Sequence, residues 1–150
     1  MSYIMELRKH VGHQPLIMPG VCIVVKNGEG AILLQKRTDS GKWSTIGGAM
    51  EPGESFEETA HRELFEETGL KIEKMEMKAL LSGKNMFYVY PNGDQVFNVI
   101  CVFEVSAWRG TPAINDDESI EFAFFTLDDA RKILNPFSIL ILKEAGYFEE

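Results

Sequence analysis

The chain is poor in cysteine, has fewer basic than acidic residues, and contains no long apolar run. Each shortage excludes something. Two cysteines in 150 residues, Cys22 and Cys101, cannot staple a disulfide scaffold. Both lie in apolar runs, VCIVV and VICVF, and read as buried, reduced thiols; a disulfide between adjacent strands is the lesser alternative. No stretch approaches the roughly 20 apolar residues of a spanning helix. The first residues, MSYIMELRKH, lack the apolar core of a secretion signal. The expectation is a cytoplasmic protein with no membrane partner. Fifteen Lys and Arg stand against 23 Asp and Glu, for a net charge of -8. That balance argues against extended nucleic-acid binding. It leaves room for a small nucleotide whose phosphates are screened by metal. The histidines, His10, His13 and His61, show no metal-binding spacing.

No linker, repeat or low-complexity tract interrupts the chain, and 45% of it is hydrophobic. One domain over 1–150 with a real core is expected. Residues 3–10 form a short amphipathic helix. Ile17 to Val25 reads as a buried strand, and Asn27-Gly28-Glu29-Gly30 turns it into Ala31 to Lys36 as a hairpin. A short strand falls within Trp43 to Met50. Ser55 to Thr68 is predicted helical, with Pro52-Gly53 upstream and Gly69 as the stop. Lys71 to Leu81 is a strand. Met86 to Tyr90 and Gln95 to Val105 flank Pro91-Asn92-Gly93-Asp94 as a second hairpin. Ile120 to Leu127 is a further strand. Residues 128–134 and 138–146 are helical, with Pro136 between them. The order suggests a mixed sheet with helices on both faces.

What the chain does have is a dense run of acid. Gly48 to Leu70 reads GAMEPGESFEETAHRELFEETGL. Glu63, Glu66 and Glu67 fall within about one helical turn, so their carboxylates share a patch. Hard divalent cations such as Mg²⁺ take oxygen ligands of this kind and fill the remaining positions with water and phosphate oxygens. The Gly47-Gly48 pair permits close backbone approach, and its carbonyl is a further ligand. A metal so held orients water and neutralises a pyrophosphate. Another carboxylate could accept the water's proton. A merely solvated acidic face would not explain the spacing. Seven fixed Gly, Glu and Arg positions plus two aliphatic ones recur by chance on the order of once in a million such chains.

That spacing resembles the signature of the Nudix hydrolases, Gly-x5-Glu-x7-Arg-Glu-U-x-Glu-Glu-x-Gly-U, with U bulky and aliphatic. Gly48, Glu54, Arg62, Glu63, Leu64, Glu66, Glu67, Gly69 and Leu70 fill its positions. The resemblance implies an α/β/α sandwich with a mixed β-sheet. It also implies hydrolysis, dependent on Mg²⁺ or Mn²⁺, of a nucleoside diphosphate linked to another group, such as a nucleoside triphosphate or ADP-ribose. Glu63, Glu66 and Glu67 would hold metal with the Gly48 carbonyl. Glu63 is also a candidate base. Arg62 would orient the glutamates, and Glu54 would support the loop, with reach to the metal as its second role.

Family members also draw the base from a later loop, and here Glu118 and Glu121 are the candidates, against the alternative of a solvated acidic loop. Arg37 either meets a substrate phosphate or pairs at the surface. Trp43, Phe87, Tyr88 and Tyr90 either stack on a base or ribose or belong to core and hairpin. Homodimers are common in the family, and the hairpin around Tyr88–Tyr90 is the expected contact. One departure stands out: Thr45-Ile46 replaces the usual Leu-Pro before the double glycine. The contrasting function is a nucleotide-binding module that no longer cleaves, but every carboxylate of the signature is intact.

Overall fold

The computed structural model describes residues 2–148. The chain runs α1 (Tyr3–Val11), β1 (Leu16–Val25), β2 (Ile32–Arg37), β3 (Trp43–Ser44), β4 (Ile46–Ala49), α2 (Phe56–Thr68), β5 (Lys71–Leu81), β6 (Phe87–Val89), β7 (Gln95–Arg109), β8 (Ser119–Phe125), α3 (Leu127–Ile133) and α4 (Pro136–Glu144). A mixed sheet has the order β4-β1-β7-β5, with β6 also paired to β7. Its centre is parallel, from Leu16 opposite Val96 to Val25 opposite Val105. A second, antiparallel sheet has the order β3-β2-β8.

Alternation along β1 builds two cores, because successive side chains of a strand point to opposite faces. Val21, Ile23 and Val25 pack on the side of Ala60 and Leu64 in α2. Cys22 and Val24 pack on the other side, with Ala130 of α3 and Ile141 and Leu142 of α4. This is the expected α/β/α layering. It also explains the thiols. Cys22 and Cys101 lie on adjacent strands but in opposite cores, and both are free and buried. Among the described residues no helix is long and apolar enough to cross a membrane.

Three expectations change. The Asn27–Gly30 turn does not close a hairpin. β1 sits inside the mixed sheet, with β4 on one edge from Gly20 to Ile23 and β7 on the other. With those edges taken, β2 meets β1 only at the Lys26–Ile32 bridge and crosses into the second sheet. The segment after Trp43 is two strands that divide at Thr45. Pro136 does not separate two helices. It opens α4 behind the N-cap Asn135, whose side chain accepts from Ser138 N–H at 2.8 Å. Proline suits that first position, where its missing N–H leaves no bond unmade.

The second hairpin forms as predicted, with Val89 opposite Gln95. Its tyrosines turn inward: Tyr88 packs on Phe137 and Tyr90 at ring separations of 5.0 and 4.9 Å. The exposed side of that strand carries Phe87 and Val89 instead. Trp43 meets Phe125 edge-on at 4.9 Å, as a core aromatic.

Candidate metal centre

The helix that bears the signature is sharply bounded. Ser55 Oγ accepts from Glu58 N–H at 3.0 Å while Glu58 accepts from Ser55 N–H at 2.9 Å, a closed capping box. Gly69 ends the helix with φ 78, a left-handed turn that glycine adopts without strain. Ala60, Leu64, Glu67 and Thr68 share the buried stripe of α2. Placing a glutamate in that stripe sends a carboxylate into the protein.

The three clustered glutamates therefore differ. Glu66 looks outward, with its side chain 56% exposed. Glu63 is largely covered, at 14%. Glu67 is 1% exposed, and neither of its oxygens has a hydrogen-bond partner. A buried acceptor without a donor normally costs about 1–3 kcal/mol, more when charged. Burial, together with Glu63, Glu118 and Asp116, pushes the Glu67 pKa up to about 10. Burial also raises Glu63, to about 7, against the opposing pull of Arg62.

Arg62 organises the remainder. Its Nε and Nη2 donate to the two oxygens of Glu54 at 2.6 and 2.9 Å. Nη1 donates to Glu63 at 2.8 Å and Glu66 at 3.3 Å, and Nη2 also reaches the Ala49 carbonyl at 2.9 Å. The planar fork suits such simultaneous pairing. Glu54 gains further donors from Glu51 N–H and Thr59 Oγ1, and the Arg62 contact drives its pKa down to about 2. The guanidinium itself is raised, chiefly by Glu54.

Gly48 lies against the Glu63 carboxylate so closely that a Cβ at this position would fall on it. Gly20, across the β1–β4 pairing, leaves similar room for the Gly48 carbonyl. The Leu-Pro departure is compensated by polar ties. Thr45 N–H donates to Ser138 Oγ at 3.1 Å, and the Thr45 carbonyl accepts from Gln35 Nε2 at 3.0 Å.

The loop before β8 supplies the rest. Oxygens of Glu67, Asp116 and Glu118 lie within 4.8 Å of one another. Glu118 thus reaches the acidic helix. Glu121 does not: it is exposed on β8 opposite Lys36 and outside this group. Arg37 pairs with Asp39 at 3.0 and 3.1 Å. Burial works against its charge, but Asp39, Glu118 and Glu67 outweigh it and raise its pKa, so the guanidinium stands within the field of the acidic group. The donor set suits a hard divalent cation. It is all oxygen, it includes a buried carboxylate without a partner, and it has a glycine cradle beside Glu63.

A family model described as the NUDIX domain matches residues 16–144. The chain belongs to the Nudix hydrolase family. It is 30% identical over 135 residues to an NAD-capped RNA hydrolase NudC of Actinobacillus succinogenes, covering 86% of this chain and 47% of that protein. It is also 30% identical over 145 residues to an ADP-ribose pyrophosphatase of Bacillus subtilis, covering 93% of this chain and 71% of that one. The chain thus spans about half the length of the NudC relative. A MutT Nudix hydrolase structure from Burkholderia pseudomallei superposes with a TM-score of 0.70 at 26% identity, covering 87% of this chain and 97% of that one. Against the Nudix signature, the residue that sequence reasoning missed is Asp116. It stands in the acidic run Asp116-Asp117-Glu118, where nothing in the sequence marks one acid from the next. The available signal was Asn115, a residue able to pin a loop to a helix end.

Proposed function

We propose that this Nudix chain hydrolyses the pyrophosphate bond of a nucleoside diphosphate linked to another group, with Mg²⁺ or Mn²⁺. The observation that carries the reading is Glu67, a buried carboxylate with no hydrogen-bond donor, set among Glu63, Asp116 and Glu118, with Arg37 in its field but already paired to Asp39. Such a group is stable in ionised form only beside a cation. Glu63, Glu66, Glu67 and the Gly48 carbonyl would hold the metal, with Glu118 and Asp116 closing the far side. When bound, the metal supplies charge neutralisation of the pyrophosphate and a more acidic water. Arg62 orients Glu63 and Glu66 through its Nη1. Glu54 keeps Arg62 in place. Glu63 and Glu118 are the groups placed to accept a proton: Glu63 because its pKa lies near neutrality, Glu118 because it stands exposed at the rim. Arg37, beside the acidic group, is the cation available to a substrate phosphate once it leaves Asp39.

The substrate class follows from chemistry and from the relatives. An ADP-ribose pyrophosphatase and an NAD-capped RNA hydrolase, by their names, act on molecules that join an adenosine diphosphate unit to a second group. A small ADP-ribose-like substrate suits this chain better than an RNA end, given the net charge of -8. A panel of ADP-ribose, NAD, nucleotide sugars and nucleoside triphosphates, each with Mg²⁺ or Mn²⁺ and product identification, tests this. AMP plus a phosphorylated sugar is the expected product pair. No turnover of any member at several pH values would reject the reading.

Self-association, in the same proposal, uses the outer side of the β6–β7 hairpin. There the Phe87 and Phe97 rings meet at 4.9 Å and Ile17, directly across from Phe97, is 74% exposed. A monomer in sedimentation at micromolar concentration would remove this contact.

A further inference from the structure

Arg37 stands within the field of Glu118, but by approaching Glu67 both Asp116 and Glu118 meet a like charge. They bring negative charge to a buried carboxylate, near the C-terminal end of α2, where the helix dipole already disfavours anions. Something must hold the loop there. Asn115 does so through its side-chain amide, which donates to the Phe65 carbonyl at 3.2 Å and the Glu66 carbonyl at 3.0 Å. Both belong to the last turn of α2, where helical donors run out; the Phe65 carbonyl accepts from the capping Gly69 N–H at 2.9 Å, and Asn115 adds a second donor to it. Ala113 N–H adds a bond to the Thr68 carbonyl at 3.1 Å. The other end of the loop is fixed to β2 and its following turn. Thr38 N–H donates to the Glu118 carbonyl at 2.9 Å, and Thr38 Oγ1 donates to the Asp117 carbonyl at 2.8 Å. Between these ties, Glu118 N–H donates to Asp116 at 3.0 Å. The loop is strung between two anchors with its carboxylates at the middle.

We propose that Asn115 is a positioning residue: its amide clips the loop onto the end of α2 and so completes the divalent-cation site with Asp116 and Glu118. This rests on the metal-dependent reading above. The partnerless, buried Glu67 is the independent sign that a cation belongs between helix and loop. Asn115 touches neither metal nor substrate. It acts through the two carboxylates that follow it.

The experiment is Mn²⁺ binding to the full chain, read by electron paramagnetic resonance with no substrate present. Asn115→Ala should weaken Mn²⁺ affinity about tenfold or more, the usual range for loss of a residue that orients metal ligands. Asp116→Asn with Glu118→Gln should weaken it at least as much. Adding Asn115→Ala to that pair should change nothing further, because the clip then carries no charge to the site. Asn115→Leu, which keeps the bulk and lacks the donor, should behave as Asn115→Ala and guards against a folding artefact. Wild-type Mn²⁺ affinity in Asn115→Ala or Asn115→Leu would overturn the proposal. So would an undiminished effect of Asn115→Ala in the charge-neutralised background. Failure of the wild-type chain to bind Mn²⁺ at all would instead sink the metal reading itself.

Discussion

Helix α2 and the loop before β8 both bring acid to the same place, but they do so by different means. In α2 the carboxylates are set by the helix repeat, and the helix is closed by its own capping box and Gly69. Their charge is met within ten residues by Arg62. In the loop the carboxylates have no such internal partner, and their position is borrowed from α2 and Thr38. One half of the site is built by local rules and the other by tertiary contact. The contrast predicts that changes in α2 act strongly and directly, while changes around the loop act through metal affinity.

The strongest break is Glu67→Gln. In steady-state assays with Mg²⁺ it should lower turnover by about 10²–10⁴-fold, the range associated with loss of a charged catalytic group. In thermal melts without metal the same variant should be more stable than wild type at pH 8, since folding there must protonate Glu67, whose folded value is about 10, while the amide needs no proton to be buried. Loss of activity together with loss of metal-free stability would mean that Glu67 is held by something other than a cation.

Arg62→Ala comes next. It strips Glu54 of its closest partner and leaves Glu63 and Glu66 unopposed. Mg²⁺-supported turnover should fall about 10–100-fold, with a stability loss of about 2 kcal/mol from the uncovered, partly buried carboxylates. Arg62→Lys should rescue little, because a single ammonium cannot serve Glu54, Glu63 and the Ala49 carbonyl in one plane. Full rescue by lysine in the same two assays would reduce the role of Arg62 to bulk charge.

The same contrast explains what could be read before any coordinates. The spacing of Gly48, Glu54, Arg62, Glu63, Glu66 and Glu67 exposes the helical half, because an α-helix converts sequence offsets into geometry. The continuous apolar run VCIVV exposes a strand buried on both faces. Neither rule reaches across the chain. Whether the turn after β1 closes a hairpin depends on β4 and β7 having taken the edges of β1, which is a fact of the whole sheet. Glu118 and Glu121 look alike in sequence. Only the anchoring of residues 113–118 separates the one that reaches Glu67 from the one opposite Lys36. Inward or outward direction of Tyr88 against Phe87 is likewise set by where Phe137 lands.

Proton balance gives a distinctive effect. Ordinary glutamates titrate near 4.5, and the folded-state values of Glu63 and Glu67 are about 7 and about 10. The folded chain therefore keeps protons that the unfolded chain has released. Stability from this source is complete below 4.5 and is lost as pH rises through those values. Glu54 has the opposite sign. Its value of about 2 gives stability that is present above 4.5 and lost as pH falls towards 2. Metal-free stability should thus peak in mild acid and decline by about 6 kcal/mol from about pH 5 to about pH 8, the sum of the two glutamates. Mg²⁺ should restore most of the decline, because the cation binds the deprotonated carboxylates. Calorimetric melts across pH, with chelator or with Mg²⁺, measure both curves. A metal-free midpoint that rises from pH 5 to 8 would contradict the raised values of Glu63 and Glu67.

The least effect belongs to Glu121, and its smallness is informative. Glu121 and Glu118 are three residues apart, alike in side chain and both exposed, yet only Glu118 belongs to the group around Glu67. Glu121→Gln should leave Mn²⁺ affinity unchanged and shift stability by no more than about 0.5 kcal/mol, as for surface substitutions away from a site. Glu118→Gln should weaken Mn²⁺ binding under the same conditions. Electron paramagnetic resonance titrations of the two variants side by side remove net charge as an explanation, because each loses one negative charge from the same short segment. Equal losses would mean that the segment attracts cations only as a diffuse acidic edge, and the distinction between a locally built helix and a positioned loop would collapse.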